Sequence, residues 1–92
     1  MASSSGEDLM MYRIRQGMTL REMADKTGLS AATLHRLERG TILASPRSRV
    51  LLQDRLNLSL ERVNALLEAS QMVNRRAKWE GISARAGEAT HA

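Results

Sequence analysis

The sequence contains no cysteine. Disulfide staples, thiolate metal centres and thiol nucleophiles are excluded, and nothing points to a secreted, cross-linked scaffold. Phenylalanine is also missing, and aromatics amount to 2% of the chain, as Tyr12 and Trp79. A core must therefore be built from aliphatic side chains and methionine. One proline and six glycines supply too few turns for an all-β chain of many short strands. No apolar run approaches the roughly 18 residues that a membrane span requires. The N-terminus shows no basic segment followed by an apolar one, so no signal peptide is read and a cytoplasmic protein is expected. Histidine is limited to His35 and His91, neither with acidic residues at ligand spacing, so neither a metal site nor a cofactor is expected. There is no glycine-rich phosphate loop and no nucleophile for His35 to activate, so the chain does not read as an enzyme.

What is present is leucine, methionine and a great deal of arginine. Ninety-two residues allow one domain, able to bury about two-thirds of its unfolded surface. The formal net charge is +4, and its distribution is uneven. Residues 13–49 carry Arg13, Arg15, Arg21, Lys26, Arg36, Arg39, Arg47 and Arg49 against Glu22, Asp25 and Glu38, a local excess of +5. The flanking segments come to −2 over residues 1–12, −1 over 50–70 and +2 over 71–92. Such a concentration points to a polyanion-facing surface. Twelve of the fourteen basic residues are arginine, which suits bidentate contacts to phosphates or bases. A GC-rich genome would give the same composition.

Apolar periodicity and capping signals divide the chain into helices. A first runs from about Glu7 to Gln16 and stops at Gly17. Thr19-Leu-Arg-Glu22 is a capping box opening a second, with Leu20, Met23 and Ala24 on one stripe and Lys26-Thr27-Gly28 at its end. Ser30 caps a third, Ala31 to Arg39, closed by Gly40. Leu34 and Leu37 would point inward with Leu29, leaving Ala31, Ala32, His35, Arg36 and Arg39 on the opposite side. At 1.5 Å per residue this rod is about 15 Å long, a size that enters a major groove. The loop Thr41–Ser45 carries the apolar pair Ile42 and Leu43. Pro46 opens a fourth helix, through about Leu56, containing Val50, Leu51 and Leu52. After a break at Asn57-Leu58, Ser59 caps a fifth with Leu60, Val63, Leu66 and Leu67 on its apolar face. With no glycine or proline before Glu80, either the fifth helix runs on or a sixth begins near Gln71. Residues 1–6 read as a disordered lead, 7–69 as the domain, and 70–92 as a helical extension with a frayed tail from Gly81. Met18 and Met23 are expected in the core; Met10, Met11 and Met72 fill it or pack against a partner. Trp79, after Arg75-Arg76-Ala-Lys78, would cover the core or join a dimer contact.

The segment Gly17-Met-Thr-Leu-Arg-Glu-Met-Ala-Asp-Lys-Thr-Gly-Leu-Ser, followed by Thr33-Leu-His-Arg-Leu-Glu-Arg-Gly40, resembles the phage repressor/Cro-type helix-turn-helix family. Leu56-Asn-Leu-Ser-Leu-Glu61 is similar to that family's link between its last two helices. The resemblance covers roughly residues 9–69 and implies an all-α, compact five-helix domain with the third helix in the DNA major groove. It further implies roles at matching positions. Thr19 opens the second helix against a phosphate. Leu20 stands where relatives often have glutamine, shifting that contact to Arg21. Ala31 and Ala32 stand where relatives read bases with polar side chains; they can touch thymine methyls only. Base reading then falls to His35 and Arg36, with Arg36 placed for a bidentate contact to guanine. Arg39, Thr41, Arg47 and, beside it, Arg49 match backbone-contacting positions. Glu38 is similar to a family glutamate that pairs with a first-helix arginine, here Arg13, as a structural ion pair.

The expected function is that of a sequence-specific transcriptional regulator of double-stranded DNA, acting as a repressor. A single recognition module buries only roughly 600–1,000 Å², so a homodimer on half-sites about one helical turn apart is expected. Residues 70–82 and the Ile42-Leu43 loop are the two candidate dimer surfaces. Control would come from operator occupancy, dimerisation or a separate partner. The alternative is a protein-binding module, such as the antitoxin of a toxin–antitoxin pair, and relatives with this fold do both. The two alanines also leave open an interaction domain without DNA binding.

Overall fold

The computed structural model describes residues 6–73, which form five helices and no strand. They are α1 (Leu9–Arg15), α2 (Leu20–Thr27), α3 (Ala31–Arg39), α4 (Pro46–Arg55) and α5, which spans 60–73 to the last described residue. The lead 1–5 and the segment 74–92, with Trp79, the basic run before it and His91, lie outside the described residues.

Each helix begins on a side-chain cap, which is why these boundaries fall where they do. The Asp8 carboxylate accepts from the Met11 amide at 2.8 Å, so α1 opens two residues later than the expected Glu7. The Thr19 hydroxyl accepts from the Glu22 amide at 3.1 Å, and the Glu22 carboxylate accepts from the Thr19 amide at 2.8 Å. Those bonds from Thr19, the backbone one foremost, hold the Glu22 carboxyl below the usual carboxylate range. Ser30, Ser45 and Ser59 accept in the same way from Thr33, Ser48 and Arg62, with Pro46 in the first position of α4. Caps of this kind contribute about 1 kcal/mol each. The α4–α5 link turns on Asn57 at φ 56°, and the Leu58 amide reaches back to the Gln53 carbonyl at 3.0 Å, closing the exposed end of α4.

α2 packs on α3 and α4, and α1 packs on α3. Leu9, Tyr12, Met23, Leu34, Leu37, Leu52, Leu56, Val63, Leu66 and Leu67 form one buried cluster, with Met18, Leu20, Ala24 and Leu29 packed against it. Thr27 is completely buried at the end of α2. Its hydroxyl donates to the Met23 carbonyl at 2.8 Å and accepts from the Leu29 amide at 3.3 Å, fastening the turn into α3. Leu60, expected on the buried face of α5, is instead 49% exposed. It stands at the first position of α5, one turn ahead of buried Val63.

α5 is pinned across the ends of α1 and α3. The Leu9 backbone amide donates to the buried Ser70 hydroxyl at 3.1 Å, and the Gln71 side chain donates from Nε2 to the Ile42 carbonyl at 2.9 Å. Residues 70 and 71 thus belong to the domain rather than to an appendage. The buried Glu7 carboxylate takes Arg15 of α1 at 2.6 Å and Arg62 of α5, tying the start of the fold to its last described helix. Burial beside this cluster raises the Tyr12 phenol; nearby Arg62 opposes the rise and Glu7 adds to it.

Candidate nucleic-acid interface

The nine residues of α3 divide into two sides. Leu34 and Leu37 are buried in the core, and Glu38 is buried beside them. Ala31, Ala32, His35, Arg36 and Arg39 are all exposed. Their spacings of four (31 to 35, 32 to 36, 35 to 39) align them in a strip about 12 Å long. Among the described residues, neither Arg36 nor Arg39 has a carboxylate partner. A helix whose back is held by leucines thus offers two unpaired guanidinium groups and an imidazole to solvent.

The inner side is also held by charge. Arg13 of α1 donates from Nε to Glu38 Oε2 at 2.6 Å and from Nη2 to Oε1 at 3.2 Å, while Nη1 donates to the Met18 carbonyl at 2.9 Å. The hydrogen bond to Glu38 raises the Arg13 guanidinium above its ordinary value, against a smaller opposing effect of burial. The pair ties α3 to α1 on the side away from the outer strip.

The flanking residues lie on three other elements. Thr41 follows directly after α3; its amide and hydroxyl both donate to the Arg36 carbonyl, at 3.0 and 3.2 Å. Arg47 is exposed in the first turn of α4, and Thr19 and Arg21 are exposed at the start of α2. A shallow groove of about 530 Å³ brings Arg21 together with Gly28, Ser30 and Ala31. Arg49 is placed otherwise than expected. It is half-buried, and its Nε donates to the Ala44 carbonyl at 3.3 Å while its Nη1 donates to Asn64 Oδ1. That guanidinium braces the loop before α4 against α5. With Arg13 and Arg15 bound to Glu38 and Glu7, the basic stretch keeps Arg21, Lys26, Arg36, Arg39 and Arg47 without an ion pair among the described residues.

Of the two segments expected separately as dimer surfaces, the described start of one, residues 70–73, lies beside the other; residues 74–82 lie outside the described residues. Leu43 and Met72, 74% and 65% exposed, line one groove of about 370 Å³ with Glu68 and Gln71. Exposure of such side chains has no local sequence signal beyond the apolar loop itself. Among the described residues, no three histidine, aspartate, glutamate or cysteine side chains gather as a metal cluster, and no helix is long and apolar enough to cross a membrane.

A family model described as helix-turn-helix matches residues 9–63, from α1 into the first turn of α5. No curated protein and no solved structure matches the chain significantly.

Proposed function

Because the chain belongs to the phage repressor/Cro-type helix-turn-helix family of DNA-binding transcriptional regulators, we propose that it is a repressor that binds operator half-sites as a homodimer through the outer strip of α3. The observation that supports this best is the state of α3. Its inner side is locked by Leu34, Leu37 and the Arg13–Glu38 pair, while Arg36 and Arg39 face outward unpaired among the described residues. Arg36, in the middle of the strip, is the base-reading arginine, with His35 beside it. Arg39, Arg47, Thr19 and Arg21 face the phosphates; Thr41 keeps both its donors on the Arg36 carbonyl, and Arg49 steadies the loop that carries Arg47.

Titrating the protein with labelled duplexes tests the reading. Affinity for a sequence selected from a random library should fall steeply with salt, by about 10³ or more between 50 and 200 mM if six or more phosphates are neutralised by the dimer. Arg36→Ala should weaken that duplex roughly 10- to 100-fold and a random duplex far less. Equal losses on both would make Arg36 a phosphate contact, and salt-insensitive binding would remove the DNA role.

For the dimer, the groove of Leu43 and Met72 is the assigned surface. It joins the loop after α3 to α5, so a second copy placed there would set two recognition helices at a fixed separation. Leu43→Glu is expected to leave the fold intact and shift the protein to monomer in sedimentation velocity, with operator binding weakened. An unchanged dimer would move the interface elsewhere. A protein partner such as a toxin has a separate surface open to it on α1, where Met10, Met11 and Ile14 are 43–59% exposed.

A further inference from the structure

We propose that the first turn of α3 reads the C5-methyl group of pyrimidines, so that operator recognition depends on thymine, or on C5-methylated cytosine, at a fixed distance from the guanine taken by Arg36. The inference rests on the DNA-binding reading of α3 and specifies what that surface selects.

The polar side chains of this turn are already engaged. The Ser30 hydroxyl accepts from the Thr33 amide at 3.0 Å and lies 2.9 Å from the Thr33 hydroxyl, to which it donates. Thr33 itself is half-buried. What remains on the outward side is Ala31 and Ala32, both exposed and both in line with the strip that carries His35 and Arg36. A methyl group neither donates nor accepts, so Ala31 and Ala32 cannot distinguish bases by hydrogen bonding. The apolar feature available on the major-groove edge is the C5-methyl of thymine. Cytosine methylated at C5 carries the same group on the same ring position. Ala32 precedes Arg36 by four residues, about 6 Å along the helix, close to two base steps of about 3.4 Å each. The cationic middle of α3 and its methyl-bearing start therefore address neighbouring positions of one half-site.

Replacing thymine by uracil removes the methyl and leaves every hydrogen-bonding group of the base pair in place, which isolates the effect. A duplex selected from a random library by the full-length chain is resynthesised with deoxyuridine at each thymine in turn, and each version is titrated. One or two positions per half-site, about two steps from the guanine lost to Arg36→Ala, should bind about 3- to 10-fold more weakly, with little change elsewhere. Ala31→Ser and Ala32→Ser, which retain a residue suited to a helix start and are checked for folding by circular dichroism, should bring the thymine-to-uracil ratio at those positions to about one. Arg36→Ala should lower affinity and leave that ratio intact. Equal binding of all uracil duplexes while Arg36→Ala still loses the selected sequence would overturn the methyl reading and leave DNA recognition standing. Failure of the library to yield any preferred duplex would overturn both.

Discussion

Gly40→Ala is expected to remove about 2–4 kcal/mol of the protein's stability. Gly40 closes α3 at φ 69°, and a Cβ placed there would stand 2.3 Å from the Ser70 carbonyl oxygen and 2.8–2.9 Å from two further backbone atoms of residues 70 and 71. Those atoms cannot move aside like the end of a side chain. α5 would have to lift, and with it the Leu9–Ser70 and Ile42–Gln71 hydrogen bonds. The left-handed conformation alone costs an alanine about 1 kcal/mol, and a forced backbone shift in a packed site adds about 1–3 kcal/mol. A domain of this size has only about 3–10 kcal/mol to lose. Gly28→Ala is the matched control. Gly28 has φ 80°, and a Cβ added there would meet nothing within 4 Å, so it carries the conformational cost without the collision. It should lower Tm by about 4–8 °C, while Gly40→Ala should lower it two to four times as far. Similar melts for the two variants, followed by circular dichroism, would show that α5 does not bear on Gly40.

That contrast separates what the chain reveals locally from what it does not. Both glycines announce a helix end, because a left-handed terminal residue is a requirement of the turn itself. The same holds for Ser30, Ser45, Ser59 and the Thr19–Glu22 box, whose partners lie three residues away. The outer strip of α3 is equally legible, since cap, length and spacing settle which residues share a face. Ser70 gives no such sign. A serine on an apolar face is explained only by the Leu9 amide, 61 positions earlier. Glu7 counts as a surface acid until Arg62 arrives from α5. Arg49 shares its composition signal with Arg36 and Arg47, and only the distant Asn64 diverts it into the fold. Charge along the chain thus marks the region of the interface but overstates its membership. The apolar loop at Ile42-Leu43 and Met72 each look like isolated exceptions, and only the closing of α5 over the loop makes them one surface.

Arg13→Met is expected to be as damaging as any single change in the interior, and more damaging than Glu38→Leu. The glutamate side chain is 4% exposed and the arginine 15%. Removing Arg13 leaves a carboxylate with almost no access to water and takes the donor from the Met18 carbonyl as well. Removing Glu38 leaves a guanidinium that still has the Met18 carbonyl and some solvent. Breaking a buried pair from one side costs about 3–5 kcal/mol, whereas replacing both members by apolar groups of similar volume is often neutral or stabilising. Arg13→Met with Glu38→Leu should therefore recover most of what either single variant loses. Urea unfolding of the four proteins supplies the cycle, and operator titration supplies a second readout. In the double variant α3 keeps its leucine anchors and its outer residues, so DNA affinity should return with stability. Recovery of stability without recovery of binding would show instead that the ion pair sets the angle at which Arg36 meets the groove. A double variant no more stable than Arg13→Met would contradict the assignment of Arg13 and Glu38 as partners that matter chiefly to each other.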